Sequence, residues 1–351
     1  MLNPGVQTQA TMLGWALYCL ILPMNPLPEA LALPDPGGSE ISALSRIATL
    51  AAADLTPQGF EQNYLNPGRP VLIQGAIPAE TDWTLDYLTA VLGDTPLPIQ
   101  DHGKSHQGQD KRQWQGTGSG VDSVVMPFRD YAAALGDRTA HAQDWYMGKC
   151  ALDQTPLGQA PEFAQIEHRL GMKAPVTPWS FWMGPGGHVT HLHYDCMDGV
   201  LMQFHGAKRV ILFPPSQLYN LYPFSLLKQL IHGPKLRAGH SRVYPDQPDF
   251  AQFPRLQEAL NHRYDVLLQR GDALYIPAGW WHEVIALGDD VTCSVNRFWH
   301  VYPWARGLRS WSKWRVHLGS ILAIPHLLKE LMAALVSGDR AQKLHQWRLK
   351  L

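Results

Sequence analysis

Cysteine is scarce in this 351-residue chain. Cys19, Cys150, Cys196 and Cys293 stand singly with no CxxC spacing, which excludes a zinc module of the usual kind and a redox dithiol. A reducing compartment, by default the cytoplasm, is the expectation. Charge of one sign is also lacking. The 29 Lys and Arg balance 30 Asp and Glu to a formal net charge of −1, so nothing draws the whole molecule to nucleic acid or an anionic membrane. Long apolar runs are few. Met12 to Met24 (MLGWALYCLILPM) falls short of the ~20 residues that span a bilayer. No Lys or Arg precedes Arg46 and no small-residue cleavage site follows the run, so neither a membrane span nor a removed signal is expected. A docked helix or a misassigned start accounts for the run.

Against these absences stand 45% hydrophobic residues with only 17% charged, enough to bury a core. Thirteen Trp and twenty-eight Pro point to a loop-rich, aromatic-lined architecture with a mainly β core. Residues 1–45 are Pro-rich and run through LPDPGGSE, the composition of an extension and linker. Ser45–Leu50 and Thr84–Leu92 carry the spacing of short helices. RPVLIQGAI between them reads as a buried strand closed by Gly75. The polar, Gly-rich stretch Asp101–Gly120 reads as a long loop, either closing over a ligand or forming a hairpin tip.

From Trp179 onward, FWMG, VTHLHYD, VLMQFHG, KRVILFPP, DVLLQRGDALYIP, HEVIAL and VTCSVNRFWHV follow at short intervals. Such runs predict an antiparallel barrel or sandwich. Residues 46–303 would hold this domain and residues 304–351 a helical appendage. The appendage has nine Lys or Arg against Glu330 and Asp339. It would dock on the core or on a second subunit; a membrane surface or nucleic acid is the other use of such a segment.

In THLHYD, alternation puts residues 191, 193 and 195 on one strand face, with His193 and Asp195 about 7 Å apart along the chain. His282 in GDALYIPAGWWHEV supplies a third ligand if the barrel brings the strands together. Two histidines and one carboxylate leave coordination positions open, which suits an oxygen-activating Fe(II) site better than a closed zinc. His191 with His193 is a rival pair. A dicarboxylate co-substrate would need a buried cation, which Lys208 can supply, and polar neighbours, for which Thr190, Tyr146 and Asn296 are candidates. Thr292, Ser294 and Asn296 share one strand face by alternation.

VTHLHYD, then KRVILFPP, SRVYPDQPDFAQFP, GDALYIPAGWWHEV and VTCSVNRF, in that order, resemble the JmjC family of the cupin superfold over roughly residues 55 to 300. Within it the chain resembles the asparaginyl hydroxylase that inhibits hypoxia-inducible factor. The resemblance implies a double-stranded β-helix with flanking N-terminal helices and Fe(II) on His193, Asp195 and His282. It implies 2-oxoglutarate held by Lys208, Thr190 and Tyr146 with Asn296 close by, O2 as oxidant, and a homodimer through C-terminal helices. The implied activity is a dioxygenase hydroxylating a protein or peptide side chain with release of succinate and CO2. N-methyl-lysine demethylation, small-molecule or tRNA-base hydroxylation, and a catalytically silent binding cupin are the alternatives. Gly199, Gly239 and His240 depart from the hydroxylase, which has an asparagine at the first position and an arginine and a glutamine that recognise the target at the other two. The target residue therefore stays open.

Overall fold

The computed structural model describes residues 47–101, 123–235, 238–340 and 343–344. Met12–Met24, the 1–45 extension and nearly all of the 101–120 loop lie outside these residues. Eight strands form the centre: β6 (Ser180–Pro185), β7 (Val189–Tyr194), β8 (Asp198–His205), β9 (Lys208–Phe213), β10 (Tyr264–Leu268), β11 (Ala273–Ile276), β12 (Trp281–Ala286) and β13 (Val291–Trp299). These are the runs expected to be strands. They distribute between two antiparallel sheets ordered β11-β8-β13-β6 and β10-β9-β12-β7, so successive strands mostly cross from one sheet to the other. That arrangement is the expected double-stranded β-helix.

The larger sheet is extended on both sides. β1 (Ala48–Ala51) and β2 (Val71–Gln74) join it through β11, and β5 (Trp145–Ala151), β3 (Pro96–Asp101) and β4 (Ser123–Pro127) join it through β6. β1 corrects the helix expected over Ser45–Leu50: it pairs in parallel with β2, Ala48 opposite Val71. A short apolar run has no period long enough to distinguish the two structures, and here the open edge of β2 decides. The helix expected at Thr84–Leu92 forms over Leu85–Leu92, with the Thr84 hydroxyl accepting the Tyr87 N–H.

Burial explains the layering. On the outer face of the large sheet, Phe181, Met183, Phe204 and Val295 pack against Trp83, Leu88, Phe128 and Phe163 of the preceding helices and loops. Trp83 stacks on Phe204 at 3.9 Å. On the outer face of the small sheet, Leu192, Tyr194, Ile211, Phe213 and Trp281 pack under Leu218, Leu221, Val243 and Phe253. Between the sheets one end is closed by Val210, Leu212, Val266, Leu274, Ile276 and Trp280. The polar residues of interest occupy the remaining interior.

The appendage is helical over Trp304–Arg309 and Trp311–Leu335. The longer helix is long and apolar enough to cross a membrane by length and composition alone. Its buried side is tied down: Arg315, 4% exposed, donates to the carbonyls of Phe224 and Ala238. Gly319 lets the helix approach Ala238 and Leu226 closely.

Candidate metal centre

The register of β7 against β12 sets His193 directly opposite His282, with ring centroids 4.2 Å apart. Asp195 follows β7, and its Oδ2 lies 3.5 Å from Nε2 of His282. One ligand atom from each of the three residues falls within 4.8 Å of the others. In each ring Nδ1 meets the main-chain carbonyl two residues earlier: His191 O at 2.7 Å for His193 and Trp280 O at 3.1 Å for His282. A carbonyl only accepts, so the proton sits on Nδ1 and the Nε2 lone pair stays available to a metal. Burial, reinforced by the neighbouring His282, pushes His193 down to about 3 and keeps it neutral.

Strict alternation misplaces two of the expected residues. Between His282 and Val284 the β7–β12 pairing shifts register, so His191 and Leu192 face the single residue Glu283. Thr190 then pairs with Val284 and shares the inner face with His193; His191 does not. The Glu283 carboxylate replaces the broken ladder contact by accepting the Leu192 N–H at 3.1 Å. Glu283 was not singled out from the sequence, and nothing in WWHEV distinguishes it from a surface glutamate.

Asp195 is held from behind. Its carbonyl accepts the Gly279 N–H at 2.8 Å, and the adjacent Ala278 N–H donates to Asp198 at 2.9 Å. Asp198 is fully buried, and burial raises its pKa against the opposing pull of Arg306, whose guanidinium grips both carboxylate oxygens. Arg306 belongs to the C-terminal segment, so that segment helps to fix the site. Neither residue was named from the sequence, since a pair 108 positions apart leaves no local signal.

Deeper in the barrel, Lys208 is 3% exposed and donates to Ser294 Oγ. Burial lowers it to about 8, and among the described residues no carboxylate acts on it. Thr292 Oγ1, on the same face of β13 as Ser294, is buried without a hydrogen-bond partner among the described residues. Asn296, further along that face, accepts the Trp182 indole N–H at 2.8 Å. The Tyr146 ring lies against Gly184, where a Cβ would stand 2.2 Å from it, and stacks on His188 at 3.7 Å. A buried ammonium without an acid, beside an unused hydroxyl, fits the far carboxylate of a dicarboxylic co-substrate. The histidines and Asp195 fit a divalent metal with open positions.

The departures acquire physical causes. The Phe298 ring covers Gly199, 2.9 Å from where a Cβ would be. Gly239 accepts the Tyr194 N–H with its carbonyl, and a Cβ there would meet Tyr194 O at 2.7 Å. The next residue, His240, stacks on His193 with centroids 5.2 Å apart.

Residues 57–303 match the cupin-like domain family. The lysine-specific demethylase JMJ30 of Arabidopsis thaliana is 30% identical over 70% of this chain and 53% of its own length. The Jumonji C domain-containing protein 5 of Drosophila melanogaster is 38% identical over 68% and 57%. The human tRNA wybutosine-synthesizing protein 5 is 38% identical over 70% and 75%. The chain spans about half the length of several of the curated relatives it matches.

Isothermal titration with Mn(II) checks the ligand set. His193→Ala and His282→Ala should each weaken binding by more than about 100-fold, beyond the ~10–100-fold typical of losing a supporting partner. His191→Ala should bind as the parent does; an equal loss there would remove Asp195 from the assignment. The motifs, the paired sheets and these matches make the chain a member of the cupin-like JmjC domain family.

Proposed function

We propose that this protein is an Fe(II)- and 2-oxoglutarate-dependent dioxygenase that hydroxylates a protein or peptide side chain. The observation that carries the reading is Lys208, a buried lysine on which no acid among the described residues acts, in the same barrel as His193, Asp195 and His282. Bound iron would supply activation of O2 coupled to decarboxylation of 2-oxoglutarate to succinate and CO2. The chain's part is positioning. His193, Asp195 and His282 hold the metal from one side. Lys208, with Thr190 and Tyr146, anchors the far carboxylate, and Asn296 lies at the margin of that pocket. The aromatic walls, Trp182 and Tyr146 among them, keep water away.

Demethylation of N-methyl-lysine is the second reading, favoured by the name of the plant relative. It uses the same oxidation, placed on a methyl carbon. A tRNA base is the third, favoured by the human relative's name. The likeness to the asparaginyl hydroxylase rests on the ordered motifs, and the missing side chains at Gly199 and Gly239 argue against asparagine as the target. A silent cupin has no use for three metal ligands together with Lys208. A cytoplasmic setting belongs to the proposal, supported by the lack of a disulfide at Cys150, Cys196 and Cys293 among the described residues.

Dimerisation through the C-terminal helix is also part of it. Trp311, Trp314, Leu318, Ile321, Pro325, Leu328, Met332 and Leu335 recur in alternating steps of three and four, and all except the half-buried Trp314 are exposed. That is the seam a second helix fills.

Purified protein with Fe(II) and 2-oxoglutarate should modify a component of cell extract and form succinate. One added oxygen on a peptide supports hydroxylation, and one lost methyl supports demethylation. Lys208→Met should raise the 2-oxoglutarate requirement by at least about tenfold, the loss of one charge-assisted contact. In the parent, affinity should fall as pH rises through about 8, where free Lys208 gives up its proton. Succinate formation indifferent to both changes would contradict the reading. Sedimentation should show Leu328→Glu shifted from dimer to monomer; an unchanged mass removes the helix from the interface.

A further inference from the structure

The co-substrate reading assigns Tyr146 a hydroxyl and leaves its surroundings without a role. Those surroundings are unusual. Tyr146 is 3% exposed and sandwiched: one side of its ring lies on the bare backbone of Gly184, and the His188 imidazole stacks on it at 3.7 Å with 7° between the planes. His188 is 9% exposed and immediately precedes β7, where its carbonyl accepts the Ala286 N–H at 2.9 Å. Its Nδ1 faces Asp144 Oδ1 at 3.7 Å. Asp144 is itself buried, at 6% exposure, and immediately precedes β5 in a left-handed conformation with φ of 55°. A non-glycine residue held there costs energy and persists only where the surroundings enforce it. Three buried side chains thus join the start of β7 to the start of β5 across the Tyr146 ring.

The cluster has no evident use in stability. A buried imidazole beside a buried carboxylate is costly relative to apolar packing of the same volume. Burial pushes His188 down against the opposing pull of Asp144, with the nearby Lys208 adding to the fall, which favours the neutral ring. A neutral ring can stack on the phenol without adding a second cation beside Lys208. The Tyr146 ring lies on Gly184, which pairs with Thr292 of β13, and Lys208 donates to Ser294 on the same face of β13, which places the two side chains in one region of the barrel.

We propose that His188, oriented by Asp144, is a positioning residue that clamps the Tyr146 phenol against Gly184. It thereby sets the separation between that hydroxyl and Lys208 to suit a five-carbon 2-oxo dicarboxylate. This rests on the 2-oxoglutarate reading of the pocket. The clamp acts through Tyr146.

The test uses full-length protein loaded with Mn(II) and measures dissociation constants for 2-oxoglutarate and its one-carbon-longer homologue, 2-oxoadipate. His188→Ala should weaken 2-oxoglutarate about tenfold, the lower end for a supporting partner, and narrow the preference over 2-oxoadipate. Mn(II) affinity should not change. His188→Phe, which keeps a flat ring, should recover part of the loss. Because the alanine variant can fail to fold, a cycle built from His188→Phe and the isosteric Tyr146→Phe carries the decision. If the clamp works through the phenol, the effect of His188→Phe should largely vanish once the hydroxyl is gone. Additive losses, an unchanged preference between the two acids, or a parallel fall in Mn(II) affinity would each overturn the clamp. A parent protein that binds neither acid would instead overturn the co-substrate reading itself.

Discussion

Two histidines from different strands can share one ion only if their strands meet in the right register. In this barrel β7 and β12 pair so that His193 faces His282, and the extra residue on β7 follows at once. Without that bulge, Thr190 would point away from the interior and His191 would take the inner face. The bulge costs a ladder hydrogen bond, and Glu283 compensates with its carboxylate on the Leu192 N–H. The placement of His193 and the polarity of the interior therefore depend on a single irregularity, which lies between the His193 end of the strand and its Thr190 end.

The rest of the molecule braces this pairing from outside. The edge of β7 is covered by residues 239–241, which exchange backbone contacts with Leu192 and Tyr194. Asp195, beyond the strand and without ladder bonds of its own, relies on Gly279 and, through Ala278, on Asp198 and Arg306. Arg315 supports the same edge by bonding Ala238. Breaking the Arg306–Asp198 pair would leave a buried carboxylate uncompensated, a loss of roughly 3–5 kcal/mol. The C-terminal helices thus brace the site as well as carrying an exposed apolar seam.

Much of this was legible in the amino-acid order. Alternating apolar runs with turn residues between them identified all eight barrel strands, and His193, Asp195 and His282, which the structure brings together, were singled out by residue type plus the requirement that distant strands converge. Lys208 was visible as a lysine opening an otherwise apolar strand. What escaped has a common cause. The bulge, the strand β1, the Asp198–Arg306 pair and the Asp144–His188 pair arise from contacts between segments far apart in the chain, where local periodicity carries no information. Alternation even misled, because it assumes an unbroken ladder and so put His191 where Thr190 belongs. Glu283 and Asp198 look like surface acids until burial shows what each one holds.

The central claim is that one barrel holds iron through His193, Asp195 and His282 and, at the same time, 2-oxoglutarate through Lys208. Its most direct test is the visible absorption of the anaerobic protein loaded with Fe(II) and titrated with 2-oxoglutarate. The account predicts a metal-to-ligand charge-transfer band that saturates with co-substrate and is lost in Asp195→Ala. Iron-loaded parent protein with no such band at saturating 2-oxoglutarate, or an undiminished band in Asp195→Ala, would contradict it.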